Sequence, residues 1–145
     1  MDTSTVSRVV RASALYDLLV TAGFATPWTA PASVAVLTRV HHALGLGGAV
    51  PNLDDPFAML FANLLGSIVV VWSVVRLLRP SALHGAADSA GRVLFAAWFC
   101  WALGQGGSQV LIGFAVLEIA WGLLQAAVVL RVEGTAVRGR RLAPC

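Results

Sequence analysis

Glu118 is the only ionisable group in an otherwise apolar run of residues, 110–130. An acid in such a place can take up a proton, hold a cation or hydrogen-bond a ligand. At the centre of a bilayer it costs roughly 2.5–3.5 kcal/mol on insertion scales, so something must offset it. Asp17 interrupts a second apolar stretch, and Asn63 and Gln125 are isolated polar groups in two others. Helical spacing gives each of these a set of companions. Glu118, Gly122 and Gln125 share a face with Trp121 beside them. Ser13, Asp17 and Thr21 form an i,i+4,i+8 stripe next to Tyr16, and Asn63 shares a face with Gly66 and Ser67. Small and polar stripes are what membrane helices turn toward one another. Glu118, Asp17, Asn63, Gln125, Tyr16 and Trp121 are therefore the candidate ligand-binding residues.

The elements that must position them follow from hydropathy. The chain has 145 residues, 58% of them hydrophobic, with a mean hydropathy of +0.80. That composition excludes an ordinary soluble domain and points to a polytopic membrane protein. Four spans are predicted, at about 12–28, 57–78, 88–104 and 110–130, with an amphipathic external helix at 33–46. Residues 132–145 form a basic cytoplasmic tail expected to lack order. The fold class is thus an all-α, antiparallel four-helix membrane bundle. The first segment could pass for a signal peptide, but Asp17 breaks its apolar core and the chain starts at Met1, so it is read as a span.

All ten basic residues are Arg. In the four-span arrangement Arg8, Arg11, Arg76, Arg79, Arg92, Arg131, Arg138, Arg140 and Arg141 fall on one side and Arg39 alone on the other. By the positive-inside rule both termini are cytoplasmic, in a bacterial inner membrane. The same distribution explains the high pI, and no nucleic-acid partner is expected. Asp88 and Arg92, at i,i+4, are expected to pair near the interface.

Depths follow from the helical rise. Asp17 lies six residues past Arg11, ~9 Å inside the cytoplasmic boundary, and Gln125 lies at a similar depth before Arg131. Glu118, thirteen residues before Arg131, lies ~20 Å up, level with Asn63. Asn63 is therefore its expected neighbour. No basic residue is expected at that depth, so Glu118 is read as a neutral hydrogen-bond donor until a cation arrives. Asp17 has a competing structural role, as the partner of Arg11 or Arg76 at the inner interface.

Other groups of chemically active type give weaker signals. His41, His42, Asp54 and Asp55 are candidate external metal ligands, but adjacent helical residues point ~100° apart and chelate poorly, so no metal site is assigned. Cys100 and Cys145 fall toward opposite sides, which argues against a mutual disulfide. Trp98 and Trp101 read as an interfacial belt. Gly104, Gln105, Gly106 and Gly107 read as a turn, without the Lys and Ser or Thr of a phosphate loop. No constellation names a reaction, and no cofactor is implied.

In plan, with Arg8 or Arg11 before the first span, Gly23 within it and the amphipathic segment 33–46 before the second, the chain resembles the small four-span bacterial families grouped as DoxX-like. The resemblance implies both termini inside and an accessory role, in some members linked to redox or thiol metabolism. It assigns no role to Glu118 or Asp17. Two functions follow from the sequence. One is binding or transport of a small lipophilic or cationic ligand, or proton relay, through the intramembrane carboxyls. A bundle this small would need a homodimer to work as a carrier. The alternative is a non-catalytic accessory subunit of a larger membrane complex.

Overall fold

The computed structural model describes residues 3–141, with side-chain surroundings for residues 4–132. It is all-α, without a named strand among the described residues. Helix α1 is Thr3–Thr21, followed by a 3₁₀ turn at Ala22–Phe24. Then come α2 (Ala30–Ala43), α3 (Pro56–Leu78), α4 (Ala82–Gly104) and α5 (Val110–Arg141).

The helix starts have local causes. Asp55 caps α3, its Oδ1 accepting from the amides of Phe57 and Ala58 at 2.9 Å each, and Pro56 occupies the first turn, where no amide is needed. Ser81 caps α4 by accepting from the amide of His84 at 3.1 Å. This cap starts α4 six residues before the expected 88. Helix α1 likewise begins at Thr3 rather than 12 and gives way to the 3₁₀ turn before 28. Helix α5 continues through Arg141, where a tail without order was expected; residues 142–145, with Cys145, lie outside the described residues.

Contacts fix the register. Ser13 and Tyr16 of α1 meet Gln125 and Trp121 of α5 in descending order, so these two run antiparallel. Ser13 and Asp17 meet Asp88 and Arg92 in ascending order, so α1 and α4 run parallel. A Cβ on Gly66 would lie 2.6 Å from the backbone of Phe24 and Ala25, while Asp17 meets Arg76, which sets α3 antiparallel to α1. That close approach is possible only because residue 66 is glycine. At one end, Val6, Val10 and Val128 form a small apolar core. At the other, the α2–α3 loop is zipped to the α4–α5 turn. The amide of Ala49 donates to the Gly106 carbonyl at 2.8 Å, that of Ser108 donates to the Ala49 carbonyl at 2.9 Å, and His41 Nδ1 lies 2.8 Å from Ser108 Oγ.

The distribution of side chains is inverted relative to a protein folded in water. Arg76 is fully buried, as are Ser13, Ser73 and Gln125, whereas Leu19, Phe61, Ile68, Leu83, Val93 and Leu123 are more than 60% exposed. Two helices, α3 over its whole length and α5 over Val110–Val132, are long and apolar enough to cross a membrane by length and composition. Helices α1 and α4 fall short by that measure because they carry Arg8, Arg11 and Asp17, and Asp88 and Arg92, respectively.

Candidate functional site

The buried charges converge on one cluster contributed by four helices. Arg92, on α4, is at its centre. Its Nη1 donates to Glu118 Oε2 at 2.7 Å, its Nη2 to both oxygens of Asp17 at 2.8 and 2.9 Å, and its Nε to Asp88 Oδ2 at 3.1 Å and Gln125 Oε1 at 3.3 Å. Arg76, from α3, joins Asp17 to Asp88. Its Nη2 lies 2.5 Å from Asp17 Oδ2 and its Nη1 2.6 Å from Asp88 Oδ2. The side chains of the two arginines are 0% and 2% exposed, and those of Asp17, Asp88 and Glu118 are 14%, 8% and 10% exposed.

Neutral groups fill the remaining valences. Ser13 Oγ accepts from Gln125 Nε2 at 2.6 Å and Arg76 Nη1 at 3.1 Å, and donates to Asp88 Oδ2 at 3.2 Å, which uses its one proton and both lone pairs. Ser73 accepts from Arg76 Nη2 at 3.3 Å, and Trp72 Nε1 donates to Asp88 Oδ1 at 3.2 Å. The Arg92 guanidinium carbon lies 5.8 Å from the Tyr16 ring centroid, and Tyr16 and Trp121 rings lie 5.9 Å apart. Three groups are left over: Arg76 Nε and the Tyr16 hydroxyl are buried without a hydrogen-bond partner, and no hydrogen bond reaches Glu118 Oε1.

The cluster gathers Glu118, Asp17, Gln125, Tyr16 and, at its edge, Trp121. It does not include Asn63, whose buried Oδ1 has no partner. One expectation is corrected here and another sharpened. The direct neighbour of Glu118 is Arg92, not Asn63, so a base does sit beside the acid, against the expectation that left Glu118 neutral for want of one. Arg92 and Asp88 pair as expected, but as buried groups inside the bundle, joined there to Asp17, Glu118 and Arg76. The reason is the earlier start of α4, which sets Asp88 nearly two turns and Arg92 nearly three turns into the helix, and the length of the Arg side chain, which reaches about one turn beyond its own Cα. The sequence carried a signal for this: Gly85, Asp88, Ser89, Arg92 and Ala96 make a small and polar stripe at helical spacing, like the one read on α1.

The metal candidates do not come together. His41 is buried on Ser108, His42 is exposed, Asp55 caps α3, and Asp54 lies in the loop before it. Among the described residues no group of three or more His, Cys, Asp or Glu side chains is placed to hold a metal ion.

With all five ionised, three carboxyls face two guanidiniums, leaving one negative charge in excess. Comparison of the chain with protein-family models, with curated proteins and with solved structures gives no match. The chemistry of the cluster must therefore be read from its own geometry. A cleft reaches it from the side of α4 and α5. This cleft, of about 220 Å³, is lined by Ser89, Arg92, Ala96, Glu118, Gly122 and Ala126, with Val93, Ile119 and Leu123 at its apolar rim. A shallower depression of about 370 Å³ on α3, lined by Ser67, Ile68, Val71, Trp72 and Val75, carries no charged group.

Proposed function

We propose that this chain is a four-span bundle of the bacterial inner membrane, with both termini cytoplasmic, that takes up a proton or a small cation at its buried charge cluster. One observation carries the reading: an interhelical network of five ionisable groups, four buried and Asp17 partly so, in which carboxyls outnumber guanidiniums by one.

Energetics support a binding role over a purely structural one. At an effective dielectric of 20, charges 2.7 Å apart attract by about 6 kcal/mol. Desolvating each ion costs several kcal/mol, so such networks roughly break even against an apolar core of the same volume. Three acids for two bases is also a poor design for stability alone, since one carboxyl goes uncompensated. A site that receives one positive charge ends neutral.

The membrane placement draws on the apolar outer surfaces of all four long helices and the charged interior. Orientation draws on the arginines. Arg76 and Arg92 are consumed inside the bundle, which leaves Arg8, Arg11, Arg79, Arg131, Arg138, Arg140 and Arg141 against Arg39 alone. The alternative, an accessory subunit, is favoured by the extensive exposed apolar surface of α3, which a partner helix would cover as well as lipid does.

The test is infrared spectroscopy of the protein in lipid nanodiscs. Lowering the pH produces one protonated-carboxyl band per chain, and that band is lost in Glu118→Gln or Asp17→Asn. Absence of any such band across the stable pH range, with cations also failing to bind, overturns the reading.

A further inference from the structure

The α4–α5 cleft reaches the cluster at Arg92 and Glu118. There the seam is built from small residues: Ser89 and Ala96 on α4 face Gly122 and Ala126 on α5. Ser89 Oγ donates to the carbonyls of Gly85 and Gly122 at 2.9 and 3.2 Å, so its hydroxyl proton is shared within the wall. The floor holds Arg92 and Glu118. Arg92 has every nitrogen engaged with an acid or an amide. Glu118 has one oxygen, Oε2, on Arg92 and the other without a hydrogen bond. The only acceptor left over at the floor of this cleft is thus a carboxylate oxygen, and the cluster behind it has a negative charge in excess.

We infer that the α4–α5 cleft admits a lipophilic ammonium ion sideways from the bilayer, its charged head on Glu118 Oε1 and its chain along Ala96, Ile119, Leu123 and Ala126. The inference rests on the proposed uptake of positive charge by the cluster and names its substrate class and route. Charge complementarity selects the occupant. An ammonium head brings the missing positive charge and donates to the unpaired oxygen. A carboxylate head would raise the excess to two, and an alcohol or quinone leaves it unchanged. Along this route the apolar rim favours a cation that carries its own hydrocarbon over a free hydrated one, which would have to shed its water at a wall offering no replacement. The volume fits the head and a short chain. A water's share of liquid is about 30 Å³, so the cleft holds roughly seven non-hydrogen atoms, with a longer tail trailing into lipid.

The probe is hexylamine, with hexanol, hexanoate and methylammonium as controls, on the full chain in mild detergent. Bound ligand is counted by native mass spectrometry and affinity by equilibrium dialysis. One hexylamine per chain is expected, at least about tenfold tighter than hexanol, with hexanoate and methylammonium not retained. Glu118→Gln reduces hexylamine affinity by about tenfold or more. Because that variant disturbs the network, Ala126→Leu is the second one: it fills the cleft without touching any ion pair, and it should reduce hexylamine binding comparably. Equal binding of hexanol and hexylamine, retention of methylammonium alone, or wild-type binding by Ala126→Leu would each overturn the inference. If hexylamine does not bind while the pH-dependent carboxyl band is present, the cleft route falls and charge uptake stands. If both are absent, both fall.

Discussion

Replacing Arg92 by Gln should be the most damaging single substitution in the described interior. Arg92 makes five hydrogen bonds, four of them to the carboxyls of Asp17, Asp88 and Glu118 and one to Gln125. Without it Glu118 loses its only hydrogen-bonding partner, and Arg76 alone faces three acids, so the excess negative charge rises from one to two. Removing one partner of a buried ion pair costs about 3–5 kcal/mol in soluble proteins. An independent figure comes from membrane bundles, where an interhelical hydrogen bond averages ~0.6 kcal/mol, so the four that leave α4 amount to about 2.4 kcal/mol. The two estimates meet near 3 kcal/mol. For a chain of this size each kcal/mol at the midpoint corresponds to ~2–4 °C, which gives a fall in Tm of roughly 6–20 °C. Near-ultraviolet circular dichroism in detergent can follow the melt, since Trp72 and Tyr16 both report on the cluster. Adding Glu118→Gln to Arg92→Gln should recover part of the loss, because it removes the carboxyl left unpaired. A loss under ~1 kcal/mol, or strict additivity in the double variant, would refute the claim that these groups form one network.

Three further outcomes follow from the packing. Gly66→Ala places a Cβ 2.6 Å from the backbone of Phe24 and Ala25, so it should lose about 1–3 kcal/mol by thermal melt despite the better helix propensity of Ala. Gly91→Ala meets nothing within 4 Å and should instead be neutral or gain up to ~1 kcal/mol in the same assay. Asp55→Ala deletes the α3 cap and should cost ~0.5–2 kcal/mol, with Asp55→Asn retaining most of the stability.

Much of this interior can be read from the sequence, and the misses have a common origin. Glu118, Asp17 and Gln125 were legible as inward-facing because each is polar within a long apolar run and sits on a stripe with Gly or Ser. The pairs Asp17–Arg76 and Asp88–Arg92 were legible too, but the burial of both arginines was not, because an Arg near the end of a span is ordinarily a topology marker. What decides the matter is helix start and register: the Ser81 cap begins α4 early, and Arg76 lies three residues after Ser73 on the face that meets α1. Asn63 failed for the complementary reason. Equal height on two helices does not make two side chains neighbours, and α3 turns Gly66 to the α1 terminus, while α4 supplies the partner of Glu118. The zipped loops at 47–49 and 106–109 left no trace in residue pattern beyond glycines, since backbone pairing carries no side-chain signature.

The position of Arg92 also bears on how such a bundle is made. In the proposed four-span placement, α4 carries both Asp88 and Arg92 into the membrane, and on an isolated helix each would cost up to roughly 2.5–3.5 kcal/mol to insert. Their partners lie on α1, on α3 and on α5, the last not yet synthesised when α4 emerges. Helix α4 is therefore a segment that lipid alone does not accept. It has to wait at the translocon beside α1 and α3, or enter together with α5 as a hairpin. On that placement, biogenesis of this chain is a concerted event over its second half, and a truncation after Gly104 should leave α4 outside the membrane.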